Sequence, residues 1–196
     1  EWIQLLRKKC DDVGALLVFD EIQTGFGRTG TLFAFEKNGI VPDVILLGKA
    51  LGGGMPLGAF VSSRENMNAF TENPVLGHIT TFGGHPVCCT AGLAALEILI
   101  EEDILANVQA KGLLFNQLLQ HPSIKEIRSI GLLFAIEMAD FETVKQVVDL
   151  CLERGVIGFW FLSTKNSFRL APPLTISESE IRKACQIIVE CIEEVK

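Results

Sequence analysis

A single lysine follows an apolar run in the segment Gly48-Lys49-Ala50-Leu51-Gly52-Gly53-Gly54. The run before it, Val44-Ile45-Leu46-Leu47, predicts a strand, so Lys49 is expected at the carboxyl end of that strand. Burial there disfavours the ammonium form, and a lysine that acts as a neutral amine suits Schiff-base chemistry. The alternative is a lysine stem that runs to the surface and keeps its charge in water.

Asp20 ends another apolar run, residues 15–19, which predicts a strand buried on both faces, as in a parallel sheet. Ligands of open α/β sheets bind at the carboxyl ends of the strands. A carboxylate facing a protonated ring nitrogen, beside a lysine that holds an aldehyde carbon, is the arrangement used with pyridoxal 5′-phosphate (PLP). The alternative is that Asp20 only caps its loop.

The glycines at positions 25, 27 and 30 match the G-x-G-x-x-G pattern of dinucleotide sites. However, five residues separate the first of them from the preceding strand, and residues 31–35 do not open an amphipathic helix. This context argues against a dinucleotide site. A phosphate loop of the G-x-x-x-x-G-K-[ST] type is excluded, because Asp43 and Ala50 occupy two of its required positions.

The elements around these residues change character along the chain. A third short strand is predicted at residues 58–61, and a buried helix at 87–101. A second helix, with one apolar side, is predicted from Ile104 to Leu119. The first part therefore predicts an α/β layer, with a mostly parallel sheet and helices.

The second part predicts an α+β arrangement. Residues 127–138 predict a strand pair broken at Gly131, and the apolar spacing from Val144 to Leu152 predicts a helix that ends near Gly155. Ser177 and Glu180 form a capping box before a last helix. We place the domain boundary near residue 102, which gives domains at residues 1–102 and 103–196.

Composition limits the partners and the compartment. The 196 residues include 17 Lys plus Arg and 24 Asp plus Glu, a net charge of −7, which argues against a nucleic-acid surface. The longest apolar segment, residues 87–100, is shorter than the roughly 20 residues of a membrane-spanning helix. No histidine or cysteine spacing suggests a metal site. The six cysteines are expected to be buried free thiols in a reducing, cytoplasmic compartment.

Several motifs, taken in order, closely resemble the class III (omega) aminotransferases of PLP fold type I. They are Val18-Phe19-Asp20-Glu21-Ile22-Gln23-Thr24-Gly25, Gly27-Arg28-Thr29-Gly30, Pro42-Asp43, Gly48-Lys49-Ala50, Thr80-Thr81-Phe82-Gly83-Gly84 and Arg169-Leu170-Ala171-Pro172-Pro173-Leu174. The resemblance covers essentially the whole chain. Acetylornithine and ornithine aminotransferases are the most similar in character.

The resemblance implies a role for each matching residue around the cofactor. Lys49 matches the lysine that forms the Schiff base and moves the proton. Asp20 matches the acid on the pyridine nitrogen, and Gln23 the residue near the phenolic oxygen. Thr81, with Thr80 beside it, matches the threonine that binds the phosphate of the cofactor in the other subunit of a homodimer.

The resemblance also implies how substrate is bound. Arg169 matches the arginine that grips a substrate carboxylate, for which a guanidinium is suited. Arg28 is expected to support its loop by hydrogen bonds without contacting substrate. The family usually has Gly-Gly-Asn-Pro where this chain has Gly83-Gly84-His85-Pro86, and we expect His85 to donate to the backbone in place of the asparagine.

The family's chain is about twice as long, so we expect this sequence to be its C-terminal portion. It comprises the second half of the PLP-binding large domain and the small α+β domain, and lacks the first phosphate-binding turn. The expected reaction moves an amino group from an amino acid or ω-amine to a 2-oxo acid. The alternatives are another PLP reaction, such as an aminomutase or decarboxylase, and a non-catalytic fragment that acts only as a folded interaction unit.

Overall fold

The computed structural model describes residues 1–195, which form two compact units. The first unit contains Glu1–Gly27 and Thr31–Asp103. The second contains Arg28–Gly30 and the residues from Ile104 onward. The assignment of residues 1–102 and 103–196 to a cofactor-binding domain and a small domain stays a prediction.

The first unit is an α/β layer around a three-stranded sheet. Its strands are β1 (Val18–Asp20), β2 (Val44–Leu47) and β3 (Ala59–Ser62), in the order β1-β2-β3. Strands β1 and β2 are parallel, whereas β2 and β3 are antiparallel. The α/β class predicted for this part is confirmed, and the sheet here has one parallel and one antiparallel pair.

Three α-helices accompany this sheet: α1 (Trp2–Val13), α2 (Arg64–Asn68) and α3 (Pro86–Glu101). Helix α1 ends at Gly14, whose left-handed backbone lets its N–H group bond to carbonyls of the last turn. Helix α3 starts with Pro86 in the first turn, where no N–H donor is needed. The helix predicted at residues 87–101 is confirmed as an element by α3.

Burial in the first unit is lower than the apolar runs predicted. Val18 is 48% exposed, so β1 is not buried on both faces. Helix α3 buries only Cys88, Gly92 and Leu99. The expectation of a buried helix is therefore wrong for this chain, because an all-round apolar helix needs neighbours on every side and the described residues cover one face.

The second unit combines a four-stranded antiparallel sheet with three helices. The strands β4 (Glu126–Ile130), β5 (Leu133–Glu137), β6 (Phe159–Trp160) and β7 (Ser167–Leu170) are arranged in the order β4-β5-β7-β6. The helices are α4 (Val108–Leu118), α5 (Phe141–Glu153) and α6 (Glu178–Glu194). The α+β arrangement and the strand pair broken at Gly131 are confirmed.

Most of the fully buried side chains belong to this second unit. Alternate residues of β5, Phe134 and Ile136, point into the core, where the rings of Phe134 and Phe115 lie 5.0 Å apart. The predicted capping box is also confirmed: Glu180 Oε2 accepts from the Ser177 N–H at 2.8 Å, and Ser177 Oγ accepts from the Glu180 N–H at 3.3 Å. The second unit thus has a well-packed core behind its sheet.

Two further findings concern the described residues as a group. None of their helices has the length and apolar character that crossing a membrane would require. They also contain no cluster of three or more His, Cys, Asp or Glu side chains able to hold a metal ion.

Candidate active site

The parallel pairing of β1 and β2 brings two candidate residues to one edge of the sheet. Asp20 is in register with Leu46, and the next N–H group along β1, that of Glu21, donates to the Leu46 carbonyl at 3.0 Å. Lys49 follows Leu46 by three residues. The candidate carboxylate and the candidate amine therefore both emerge at the carboxyl ends of adjacent parallel strands.

Asp20 is exposed, and its own turn orients it. Its Oδ1 atom accepts a hydrogen bond from the Ile22 N–H at 3.0 Å, which closes an Asx turn. Among the described residues, Asp20 has no ion-pair partner. Gln23, also exposed, follows in the same turn. Both side chains are therefore free of protein partners that a ligand would have to displace, apart from the single Asp20–Ile22 bond.

Lys49 is exposed, so the predicted burial of its amine is wrong for this chain. The side chain starts a short 3₁₀ helix, Lys49–Gly52, after the extended residue Gly48, and its own backbone has a φ of +47°. Within the described part of the chain its ammonium group forms no ion pair. The described residues of the first unit do not shield this strand end from solvent, and that is why the lysine is exposed.

The segment that follows Lys49 packs closely against helix α3. A β-carbon on Gly53 would lie 2.3 Å from the Ala91 carbonyl oxygen, and one on Gly92 would lie 2.4 Å from the Leu51 carbonyl oxygen. Such distances leave no space for any side chain at either position. Gly53 and Gly92 thus serve close packing of the segment after Lys49 on α3.

Glu21 is a buried residue whose importance the sequence motifs did not indicate. Only 2% of it is exposed, its Oε1 accepts from the Phe35 N–H at 2.9 Å, and its Oε2 accepts from the Thr24 hydroxyl. Its carbonyl accepts from the Gly25 N–H at 2.9 Å. Glu21 therefore fixes the turn that carries Asp20 and Gln23. The signal was present, because successive residues of extended chain point to opposite sides.

Asp43 fixes the other ends of the two parallel strands. Its Oδ2 atom accepts from the Leu17 N–H at 2.7 Å and from Arg7 Nη1 at 2.6 Å. These bonds, the one from Leu17 first, hold the pKa of Asp43 below its ordinary value. The Pro42-Asp43 motif thus has a structural role, since it ties α1, β1 and the start of β2 together.

Thr80 and Thr81 lie in the turn before helix α3, and both are exposed. The Thr80 carbonyl accepts from the Gly83 N–H at 3.3 Å. His85 precedes α3 and accepts through its carbonyl from the Cys89 N–H at 3.0 Å, but its side chain makes no capping bond. The expected hydrogen bond from the His85 side chain to the backbone is therefore wrong for this structure. The hydroxyls of Thr80 and Thr81 remain available to an anion.

The G-x-G-x-x-G segment does not build a dinucleotide site. The helix that the motif needs after its last glycine is absent from this described segment, where turns lead into a short 3₁₀ helix, Ala34–Asn38. Arg28, inside the motif, donates through Nη1 to the carbonyls of Leu132 at 3.1 Å and Pro172 at 2.5 Å. The expectation that Arg28 forms hydrogen bonds is confirmed, but these two acceptors lie 104 and 144 positions away and not in its own loop.

Arg169 belongs to the second unit. It is the third residue of β7, paired with Ala135 on β5 and Phe159 on β6, and it is partly buried. Arg169 lines a cavity of about 880 Å³ together with residues of α6 and the segment after β7. Arg154 in the same cavity is paired with Glu194, whereas Arg169 has no ion-pair partner among the described residues. Arg169 thus lines a concave site and has a guanidinium that is unpaired within the described part of the chain.

The polar side chains of the first unit fit the functional groups of PLP. Lys49 supplies an amine for the aldehyde, Asp20 a carboxylate for the ring nitrogen, and the hydroxyls of Thr80 and Thr81 suit a phosphate. The fit rests on their exposure and their lack of competing ion pairs in the part of the chain that the structure describes. The roles of these residues, with those of Gln23 and Arg169, stay predictions.

Comparison with known proteins shows a consistent relationship along the chain. The family model described as "Aminotransferase class-III" matches residues 1–192. A curated relative named acetylornithine aminotransferase, from Caldanaerobacter subterraneus subsp. tengcongensis, is 38% identical over 201 residues, which cover 100% of this chain and 49% of the relative. The chain spans about half the length of the curated relatives it matches.

Solved structures are similar over the same extent. A Bacillus anthracis aminotransferase superposes with a TM-score of 0.91 at 33% identity, over 99% of this chain and 48% of that one. The ornithine aminotransferase from Toxoplasma gondii ME49 superposes with a TM-score of 0.89 at 32% identity, over 99% of this chain and 47% of that one. Sequence and structure therefore agree on one group of relatives.

Proposed function

The chain belongs to the class III aminotransferases, which are PLP-dependent, and we propose that it carries the cofactor-holding lysine of an enzyme that transfers an amino group from an amino acid or ω-amine to a 2-oxo acid. The observation that supports this most directly is the parallel register of β1 and β2, which places Asp20 and Lys49 at adjacent strand ends. An amine and a carboxylate at that edge suit an aldehyde and a ring nitrogen.

The proposed mechanism assigns a task to each side chain of the first unit. When bound, PLP supplies an electron-withdrawing ring that stabilises the carbanion left after a substrate Cα loses its proton. Lys49 Nζ would hold the aldehyde carbon of the cofactor and would move the proton of the substrate Cα. Asp20 would keep the ring nitrogen protonated, and Gln23 would lie near the phenolic oxygen.

Arg169 would bind a substrate carboxylate. Its guanidinium has no ion-pair partner in the described chain, and Arg169 lines a cavity, so a bidentate pair with a carboxylate meets no competing acid. The curated relatives are named for acetylornithine, which is consistent with a carboxylate-bearing substrate of this kind.

Reductive trapping tests the role of Lys49. The protein is incubated with PLP, reduced with borohydride and mapped by mass spectrometry, in wild type and in Lys49→Ala. We expect the pyridoxyl adduct and the visible-edge imine absorbance on Lys49, both lost in the variant. Lys37→Ala, at another exposed lysine of the first unit, is the control and should keep both. Adduct on Lys37, or an unchanged spectrum in Lys49→Ala, would contradict the proposal.

Product analysis tests the reaction. With an amino acid donor and a 2-oxo acid acceptor, transamination yields a new amino acid and consumes the acceptor one for one. An aminomutase would consume no acceptor, and a decarboxylase would release carbon dioxide. Arg169→Lys should raise KM for carboxylate substrates, whereas Arg182→Lys, on the exposed face of α6, should not.

We include a homodimer in the proposal, with Thr81 donating to the phosphate of the partner's cofactor. The support is Phe82, which is 81% exposed beside Thr81 and needs a covering surface. Mixing Lys49→Ala with Thr81→Ala protein tests this, because one site of the mixed dimer would combine an intact Lys49 with an intact Thr81. Recovery of activity on mixing is expected; no recovery would contradict a shared site.

We also propose a cytoplasmic location. All six cysteines are free, as expected for thiols kept in a reducing compartment. Four of them are buried, whereas the expected burial is wrong for Cys89, which is exposed, and for Cys10, which is only partly buried. Fractionation of cells that express the protein tests it. Recovery with a cytoplasmic marker is expected, and recovery with an organelle or an exported fraction would contradict it.

A further inference from the structure

Arg28 belongs to a three-residue segment, Arg28–Gly30, that is part of the second unit although the residues on both sides of the segment belong to the first. Its carbonyl accepts from the Leu132 N–H at 3.0 Å, and its Nη1 donates back to the Leu132 carbonyl at 3.1 Å. Leu132 is completely buried in the turn between β4 and β5. The backbone and the side chain of Arg28 are therefore both fixed on one buried residue.

The adjoining glycine shows how closely this segment packs. Gly131 has a φ of +55°, and a β-carbon there would lie 2.6 Å from the Arg28 carbonyl oxygen. A side chain at position 131 would displace the Arg28 backbone. The arginine is thus attached to the β4–β5 turn at a distance that leaves it little freedom.

From this fixed base, Arg28 reaches the segment that follows β7. Its Nη1 donates to the Pro172 carbonyl at 2.5 Å, across 144 positions of sequence. Pro172 and Pro173 have no N–H groups, so this stretch cannot be held by backbone donation at those two positions. It is held through its carbonyls instead.

Each of three successive carbonyls in this segment has a donor. Pro172 accepts from Arg28, Pro173 accepts from the Ile176 N–H at 3.1 Å, and Leu174 accepts from Lys111 Nζ at 2.7 Å. Two cationic side chains thus fix the path of the chain immediately after β7. The same segment and Arg169 line one cavity.

The environment of Arg28 argues against a role in packing alone. Burial lowers the pKa of its guanidinium, and no carboxylate pairs with it among the described residues. A buried cation that is balanced only by carbonyl dipoles costs free energy that an apolar side chain would not. Its hydrogen bond to the cavity-lining segment after β7 is a reason for a positively charged side chain at position 28.

We propose that Arg28 is a positioning residue for Arg169: by holding the Pro172 carbonyl, it sets the cavity wall against which a substrate carboxylate on Arg169 is placed. This inference rests on the proposed function, in which Arg169 binds that carboxylate. Arg28 itself does not contact substrate.

The test compares Arg28→Met and Arg28→Lys in the PLP-loaded enzyme, with one amine donor that carries a carboxylate and one that lacks it. Arg28→Met should raise KM for the carboxylate donor about tenfold, the effect of losing the charge-assisted hydrogen bond to the Pro172 carbonyl. Its kcat and the KM for the carboxylate-free donor should stay near the wild-type values. Arg28→Lys should recover part of the loss, and Arg182→Met is the matched surface control.

Hydrogen exchange of the protein without substrate gives a second readout. In Arg28→Met, the Ile176 amide, which is bonded to Pro173, should exchange several-fold faster. The Ile181 amide, bonded to Ser177 at the start of α6 at 3.0 Å, should be unchanged. Equal acceleration at both amides would indicate general destabilisation and overturn the positioning role.

The kinetic outcomes separate this inference from the proposed function. If Arg169→Lys leaves the KM for the carboxylate donor unchanged, the assignment of Arg169 fails and the positioning role fails with it. If Arg169→Lys is defective and Arg28→Met is normal, or is equally impaired with both donors, only the positioning role fails. Should Arg28→Met not fold, Arg28→Lys carries the same comparison with a smaller expected change.

Discussion

Gly48 lies directly against Ile22, so that a β-carbon on Gly48 would be 3.3 Å from Cγ2 of Ile22. Gly48 precedes the candidate Schiff-base lysine, and Ile22 lies in the turn between Asp20 and Gln23. The contact therefore packs the two halves of the proposed cofactor edge on each other. The backbone of Gly48 is extended, so a side chain here is limited by space and not by conformation.

Gly48→Ala should weaken PLP binding. Overpacking by one methyl group costs about 1 kcal/mol or more, which corresponds to a roughly fivefold or larger rise in the dissociation constant. Absorbance titration with PLP measures it. Gly58→Ala is the control, because its nearest neighbour would be 3.7 Å away, in ordinary contact. Adding Ile22→Ala to Gly48→Ala should restore binding; equal effects at positions 48 and 58 would contradict the packing argument.

Replacement of Glu21 should destabilise the turn that carries Asp20. Glu21→Ala leaves the Phe35 N–H without its acceptor and should lower the free energy of unfolding by about 2 kcal/mol. Glu21→Gln should cost less, since its amide oxygen can accept from Phe35 while its NH₂ group donates to the Thr24 hydroxyl. Urea unfolding measures both.

Glu36→Ala is the control for Glu21. Glu36 also accepts from a backbone N–H, that of Phe33 at 3.3 Å, but it is exposed, so water replaces the bond. A loss of stability in Glu36→Ala as large as that in Glu21→Ala would show that burial of the Glu21 carboxylate is not what matters.

Asp43 should make stability depend on pH on the acid side. Its pKa is lowered in the folded chain by the Leu17 N–H and by Arg7, relative to about 3.9 in an unfolded chain. A lowered pKa means that the stabilisation is fully present above the unfolded value and is lost as the pH falls through the folded value. Asp43→Asn should therefore be less stable than wild type at pH 7, and the difference should shrink below about pH 4.

Thermal melts from pH 7 down to pH 3 measure this difference. Asp12→Asn, at an exposed position of the same helix that carries Arg7, is the control. A gap between wild type and Asp43→Asn that stays constant across this range would rule out the carboxylate as its source.

Thiol labelling should distinguish the exposed cysteine from the buried ones. Burial raises the pKa of Cys151 and of Cys185 to about 12, so at pH 8 only roughly one in ten thousand of these thiols is ionised. Iodoacetamide should label Cys89 in the native chain and all six cysteines only after unfolding. Cys89→Ser should remove the fast reaction; fast native labelling of Cys185 would contradict the described burial.

Local patterns in the sequence were sufficient for most of the second unit. The apolar spacing of α5, the Ser177–Glu180 box and the break at Gly131 depend on neighbours within a few residues, so they could be predicted and are confirmed. The order of motifs was likewise sufficient to identify the family, because a motif needs only residue types and spacing.

Burial and long-range contacts were decided by the tertiary structure. Apolar runs predicted that Lys49 and β1 are enclosed, but exposure depends on which remote segments cover them, and a run of residues contains no information about its cover. Glu21 and Asp20 are adjacent acids, yet one is buried and the other exposed. The hydrogen bond from Arg28 to Pro172 joins residues 144 positions apart in the sequence. Over such a separation, only the folded chain determines which residues are in contact.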